Sequence, residues 1–193
     1  MWSELLKSFV QLFIIIDPFV SGIFFIGFSK DMDEKEKHRA LWTAISVAAG
    51  LLFLFLFIGL YLLELLNITF NGFKIAGGIL LLIMGVSSVL GIELGSKKEN
   101  VKSAAILIGT PLLSGPGALT TIIILSKDYG YFIPGLAALL VLTVSFFILH
   151  YAERISKFVG TEMIQIFSKV LGLLLAALAV DFIHSGIAGF IGG

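Results

Sequence analysis

Two short motifs place polar and helix-breaking residues inside runs that are otherwise apolar. Asp17-Pro18 interrupts a run from Leu5 to Ser29, and Ser114-Gly115-Pro116-Gly117 interrupts another from Ser103 to Ser126. Proline within a helix removes a backbone donor and clashes with the carbonyl four residues earlier. Pro18 would free the carbonyl of Ile14, Pro116 that of Leu112 and Pro111 that of Leu107. Gly115 and Gly117 weaken the second run further. A half-helix that starts after such a break offers N–H groups and a positive dipole end, which can hold a carboxylate. The half-helix that ends there offers carbonyls, which can hold an ammonium. Ser21, Ser114, Thr120 and Thr121 stand within about one helical turn of the breaks and add hydroxyl partners. Together these residues point to binding of a small, zwitterionic solute. Asp17 could carry a proton, or receive an ammonium or a sodium ion. It could equally be the N-cap of the helix that Pro18 begins, and the two roles are compatible. Asp181, in a last apolar run from Val170 to Ile191, is a second candidate for ion coupling.

Other chemistries lack their residues. There is no cysteine, hence no disulfide, no thiolate nucleophile and no thiolate metal site. His38, His150 and His184 show no metal-ligand spacing. The formal net charge is zero, which gives nucleic acid no basic patch to meet. An intramembrane hydrolase built on Asp17, Asp181 or His184 would need two catalytic groups converging, for instance at i and i+4 of one helix, and no segment supplies them at that spacing. The chain therefore reads as a non-enzyme with no metal and no cofactor beyond a coupling proton or sodium ion.

The elements that must position these residues are membrane helices. Of 193 residues 58% are hydrophobic and only 13% charged, and the mean hydropathy is +1.07. A soluble domain carries about 25% charged residues, so the lipid bilayer is the expected surrounding. A spanning helix needs about 20 apolar residues. Leu41–Leu63, Ile75–Ile92, Ser103–Ser126 and Tyr129–His150 meet that length with few or no charges. Leu5–Ser29 and Val170–Ile191 make six all-α transmembrane spans in a single membrane domain over residues 1–193. The N-terminal run has Glu4 where a signal peptide has basic residues, so it counts as a span.

Lysine and arginine set the orientation. The first connection holds Lys30, Lys35, Lys37 and Arg39, the third Lys97, Lys98 and Lys102, and the fifth Arg154 and Lys157. The second and fourth hold only Lys74 and Lys127. Odd connections are then cytoplasmic, and both termini lie outside a multi-pass cell (inner) membrane protein.

The two breaks also suggest a duplication. Asp17-Pro18 aligns with Gly115-Pro116 at an offset of 98, and Phe73-Lys74-Ile75-Ala76-Gly77 aligns with Ser168-Lys169-Val170-Leu171-Gly172 at an offset of 95. Two halves of three spans, about 1–96 and 97–193, would be inverted relative to each other. Spans one and four would then be broken near the membrane middle, an arrangement found in secondary transporters.

The segment Thr110-Pro111-Leu112-Leu113-Ser114-Gly115-Pro116-Gly117-Ala118-Leu119-Thr120-Thr121 resembles the signature of the MarC family of membrane proteins. Phe13-Ile14-Ile15-Ile16-Asp17-Pro18 is similar to the family's first-span element, usually Asp-Pro or Asn-Pro. Phe73 to Leu80 resembles its third span, where arginine is more usual than Lys74, and Gly172 to Val180 its sixth. Val20 and Ile23 stand where the family often has glycine and proline, and Asp181 where it often has an amide. The resemblance implies a six-span inner-membrane protein. It also implies ion-coupled transport of small neutral amino acids such as glycine or alanine. A passive channel, or a structural or regulatory membrane protein without cargo, is the alternative. The sequence leaves the oligomeric state open.

Overall fold

The computed structural model describes residues 2–91 and 113–192. Eight helices follow one another: α1 (Trp2–Ile16), α2 (Pro18–Ser29), α3 (Glu34–Leu65), α4 (Phe70–Leu90), α5 (Pro116–Tyr129), α6 (Phe132–His150), α7 (Ala152–Val159) and α8 (Thr161–Ile191). Among the described residues five segments are long and apolar enough to cross a membrane: Trp2–Gly27, Glu34–Leu65, Phe70–Leu90, Phe132–His150 and Thr161–Ile191. The sequence predicts six. The fourth is present only as α5, because residues 103–112, with Pro111, lie outside the described residues. Lys97, Lys98 and Lys102 lie outside them too.

α3, α4 and α8 start before their apolar windows, whereas α6 starts three residues inside its own, after the turn that ends α5 at Tyr129. α3 starts seven residues before Leu41, in a capping box: the Glu36 N–H donates to the Asp33 carboxylate at 2.7 Å, and the Asp33 N–H to that of Glu36 at 3.1 Å. Lys35, Lys37 and Arg39, read as loop residues, therefore sit on the first turns of α3. α4 starts at Phe70 because the Thr69 hydroxyl caps the Gly72 N–H at 3.2 Å. Apolarity marks only the part of a helix in hydrocarbon, whereas caps decide where it begins. α7, eight residues with one apolar and one charged face, was read as connection. It has the character of a helix lying along the interface.

α5 is the centre of the molecule. Gly117, Ala118 and every residue from Thr120 to Ser126 are buried, as befits a helix surrounded on all sides. It contacts α1, α3, α4 and α6. α3 and α6 run antiparallel: His38 meets His150 at one end, and Phe57 meets Tyr131 at the other. The first of these ends also carries Lys30, Lys35, Arg154 and Lys157 and is called the basic end below.

The most extensive pairing is α4 with α8. It is antiparallel and backbone-close. A Cβ on Gly85 would lie 2.8 Å from the Gly172 carbonyl oxygen, and one on Gly78 2.8 Å from that of Ala179. Small residues at such positions let membrane helices approach and gain packing. The residues matched at an offset of 95 do not share surroundings. Gly77 faces Thr120 on α5, whereas Gly172 faces Gly85 and Ser88 on α4. Lys74 pairs with Asp128 at 3.8 Å and lies over the Phe70 ring, whereas Lys169 is exposed.

Candidate functional site

The first break is built around Asp17. The N–H of Asp17 still donates to Phe13 at 3.0 Å, but Pro18 has none to continue the helix. Asp17 takes a left-handed conformation, φ 38° and ψ 72°. Aspartate is one of the few residues that enter this region readily. Its carboxylate Oδ1 accepts from the Val20 N–H at 3.3 Å and so caps α2. The Ser21 hydroxyl, buried, donates to the Ile16 carbonyl at 3.3 Å. The other carboxylate oxygen, Oδ2, accepts from the Ser168 hydroxyl on α8 at 2.8 Å. Ser168 is itself within 3.4 Å of the Ser88 hydroxyl on α4. A polar chain thus runs from the broken span across α8 to α4. The sequence singled out neither serine as a site residue, because hydroxyls are common in apolar helices and these stand 80 residues apart.

The second break opens α5. Gly115 is its N-cap and brings no side chain; Pro116 is the first helical residue. The Thr120 hydroxyl is used locally, donating to the Pro116 carbonyl at 2.8 Å. Ser114 is buried. A Cβ on Gly117 would lie 2.6 Å from Leu81 Cδ2, 3.3 Å from Ile15 Cγ2 and 3.4 Å from Met84 Sδ. Ile15 is two residues before Asp17, so the start of α5 packs beside the end of α1. The two motifs are staggered rather than level. The first stands beside Ser168 and Ser88, the second beside Leu81 and Met84, which is about 6–10 Å away along α4.

Polar atoms gather at this contact without partners. Thr121 Oγ1 and Gln11 Oε1 are buried and have no hydrogen-bond partner among the described residues. Thr121 is four residues from Gly117 and Gln11 four from Ile15, so each lies about one turn from the contact. Buried polar atoms are nearly always paired. Gln11 was missed from sequence as one amide in an apolar run. Ser8 and Ser145 are likewise buried and unpaired, on α1 and α6.

Asp181 is not at this site. It lies on the exposed face of α8, thirteen residues or about 20 Å along the helix from Ser168.

A cleft of about 290 Å³ opens at the basic end between α2, α3, α6 and α7. Its polar walls are Ser29, Glu34, Lys37, His38, Glu153 and Arg154. Lys37 donates to Glu153 at 2.6 Å, joining α3 to α7, and reaches Glu34 at 3.4 Å. The Lys37 hydrogen bond and charge hold the Glu153 carboxyl below its ordinary value. A smaller gap shares Ile26 and Ala152 with the cleft and reaches Phe19, two residues from Asp17. Among the described residues no cluster of side chains could hold a metal ion.

The sequence model of the MarC family integral membrane proteins matches residues 2–191. A UPF0056 membrane protein of Methanocaldococcus jannaschii is 32% identical over 94% of this chain and 95% of its own length. The UPF0056 membrane protein YhcE of Escherichia coli is 28% identical over 97% and 93%, and YvbG of Bacillus subtilis 27% over 98% and 96%. No solved structure matches the chain. With the apolar helices on one side and a match over nearly all its residues on the other, the chain belongs to the MarC family of integral membrane proteins.

Proposed function

We propose that this protein is a secondary transporter of small solutes, and that the solute binds where the two helix breaks meet. The observation that carries the reading is the pair of buried, unpartnered polar atoms, Gln11 Oε1 and Thr121 Oγ1, about one turn from the Ile15–Gly117 contact. The N-terminus of α5 suits a carboxylate. Asp17, already bonded to Val20 and Ser168, keeps acceptor capacity for an ammonium or a coupling ion. A small zwitterion such as glycine or alanine satisfies both ends. Gly117 is closely packed, so the solute enters when α1 and α5 part, and the cleft at the basic end is its approach from one side. By the positive-inside rule that side is the cytoplasm.

Thermal unfolding of the purified protein with small amino acids, with and without sodium, tests this. A solute at 100 times its Kd adds about 2.7 kcal/mol of stability. A shift with glycine or alanine that is reduced in Thr121→Val and Gln11→Leu supports the site. Absence of a shift with any small amino acid removes that solute class. Gly117 is a poor probe, since any side chain there collides with Leu81 whether or not a solute binds.

A further inference from the structure

The outer face of α8 breaks a rule that its packing partner keeps. α4 has 21 residues, a rise of about 31 Å, which matches the hydrocarbon core. α8 lies antiparallel to it, with Gly189 and Gly186 beside Asn71, Ala179 beside Gly78, and Gly172 beside Gly85. Asp181, two residues beyond Ala179, is therefore level with residues 76–78, about 9–12 Å inside the start of α4 at Phe70. Around that level α4 shows only Ala76, Ile79, Leu80 and Ile83 to the outside, a face suited to lipid. α8 shows Asp181 and, one turn on, His184, between Val180 and Ile187.

Neither ionisable group has a partner among the described residues. Asp181 is ten residues from Ile191, about 15 Å along the helix. An acid facing acyl chains is costly, and such groups almost always face protein or a water-filled cavity. Ala177 and Ala188, also exposed, continue the face above and below and permit a second helix to come close.

We infer that this face of α8 is the interface of a homodimer in the membrane. A two-fold axis along the membrane normal sets α8 of one copy beside α8 of the other at equal depth. Such an interface uses one patch twice, so Asp181 of each copy meets His184 of the other. The pair is self-complementary: an acid and a base one turn apart need only a second copy of this chain. The inference is independent of any solute.

The absence of cysteine makes the test clean. Single-cysteine variants Ala177→Cys and Ala188→Cys on α8, and Ile83→Cys on the lipid face of α4, are reconstituted at low density in vesicles and oxidised. The α8 variants should form disulfide-linked dimers at least about 10-fold faster than the α4 variant. Adding Asp181→Leu with His184→Leu should reduce that rate about 10-fold, and the exchange of Asp181→His with His184→Asp should restore it. Equal rates on α4 and α8, or an α8 rate indifferent to the double leucine change, would overturn the inference.

Discussion

At the scale of the residue, Asp17 does three things at once. It occupies a left-handed conformation, caps α2 and accepts a hydrogen bond from Ser168. Asparagine can do the first two without the charge and can keep the third contact by donating its amide N–H to the Ser168 hydroxyl instead of accepting from it; alanine can do none of them well. Asp17→Asn should therefore unfold within about 0.5 kcal/mol of the parent, whereas Asp17→Ala should lose about 1–2 kcal/mol. Thermal unfolding in detergent separates the two. Ser168→Ala should cost about 1 kcal/mol by removing one donor to the carboxylate. The same logic accounts for Asp-Pro or Asn-Pro at the corresponding place in the resemblance. Asp17 was legible in sequence because an acid followed by proline inside an apolar run has few explanations. Ser168 was not, since its partner is 151 residues away and an isolated serine signals nothing. Asp181 was selected by the same rule as Asp17 yet stands on the outside. Apolar surroundings in sequence reveal depth, not direction.

The elements carry their own lesson. Apolar runs located the membrane part of α3, α4, α6 and α8 but not their ends, which caps such as Asp33 and Thr69 determine. α7 was illegible because eight residues of mixed character resemble any connection. Asp17-Pro18 was read correctly as a break, and Pro116 opens α5 as a helix start. Their stagger was not legible, because it depends on how α4 and α8 slide past one another. That pair is held by near contact of backbones, so Gly85→Leu or Gly172→Leu should destabilise by about 3 kcal/mol through overpacking. Ile83→Ala on the exposed side of α4 should change stability by about 0.5 kcal/mol or less. Chemical denaturation of the two variants decides whether α4 and α8 pack as described.

Over the whole molecule, under the proposed transport function, the basic end and the breaks are parts of one route. The Lys37–Glu153 pair closes α7 against α3 beside the cleft. Glu153 is held below its ordinary value of 4.5 chiefly by the Lys37 hydrogen bond. A lowered folded value means the pair stabilises above the unfolded range and is lost as pH falls through the folded value. The pair is exposed, so the effect on stability is small. Its signature is local: relative to a fully exposed cysteine at the same pH, Ser29→Cys should react with a thiol probe faster below the folded Glu153 value than at neutral pH, and Glu153→Gln should remove the difference. The central claim is that the breaks form a transport site. Proteoliposomes loaded with buffer and given radiolabelled glycine or alanine under an imposed proton or sodium gradient test it most directly. The account predicts saturable uptake that exceeds equilibration under one gradient and is lost in Asp17→Asn, although that variant stays folded. Uptake that is flat under both gradients would contradict transport of these amino acids, and uptake untouched by Asp17→Asn would contradict the place assigned to it.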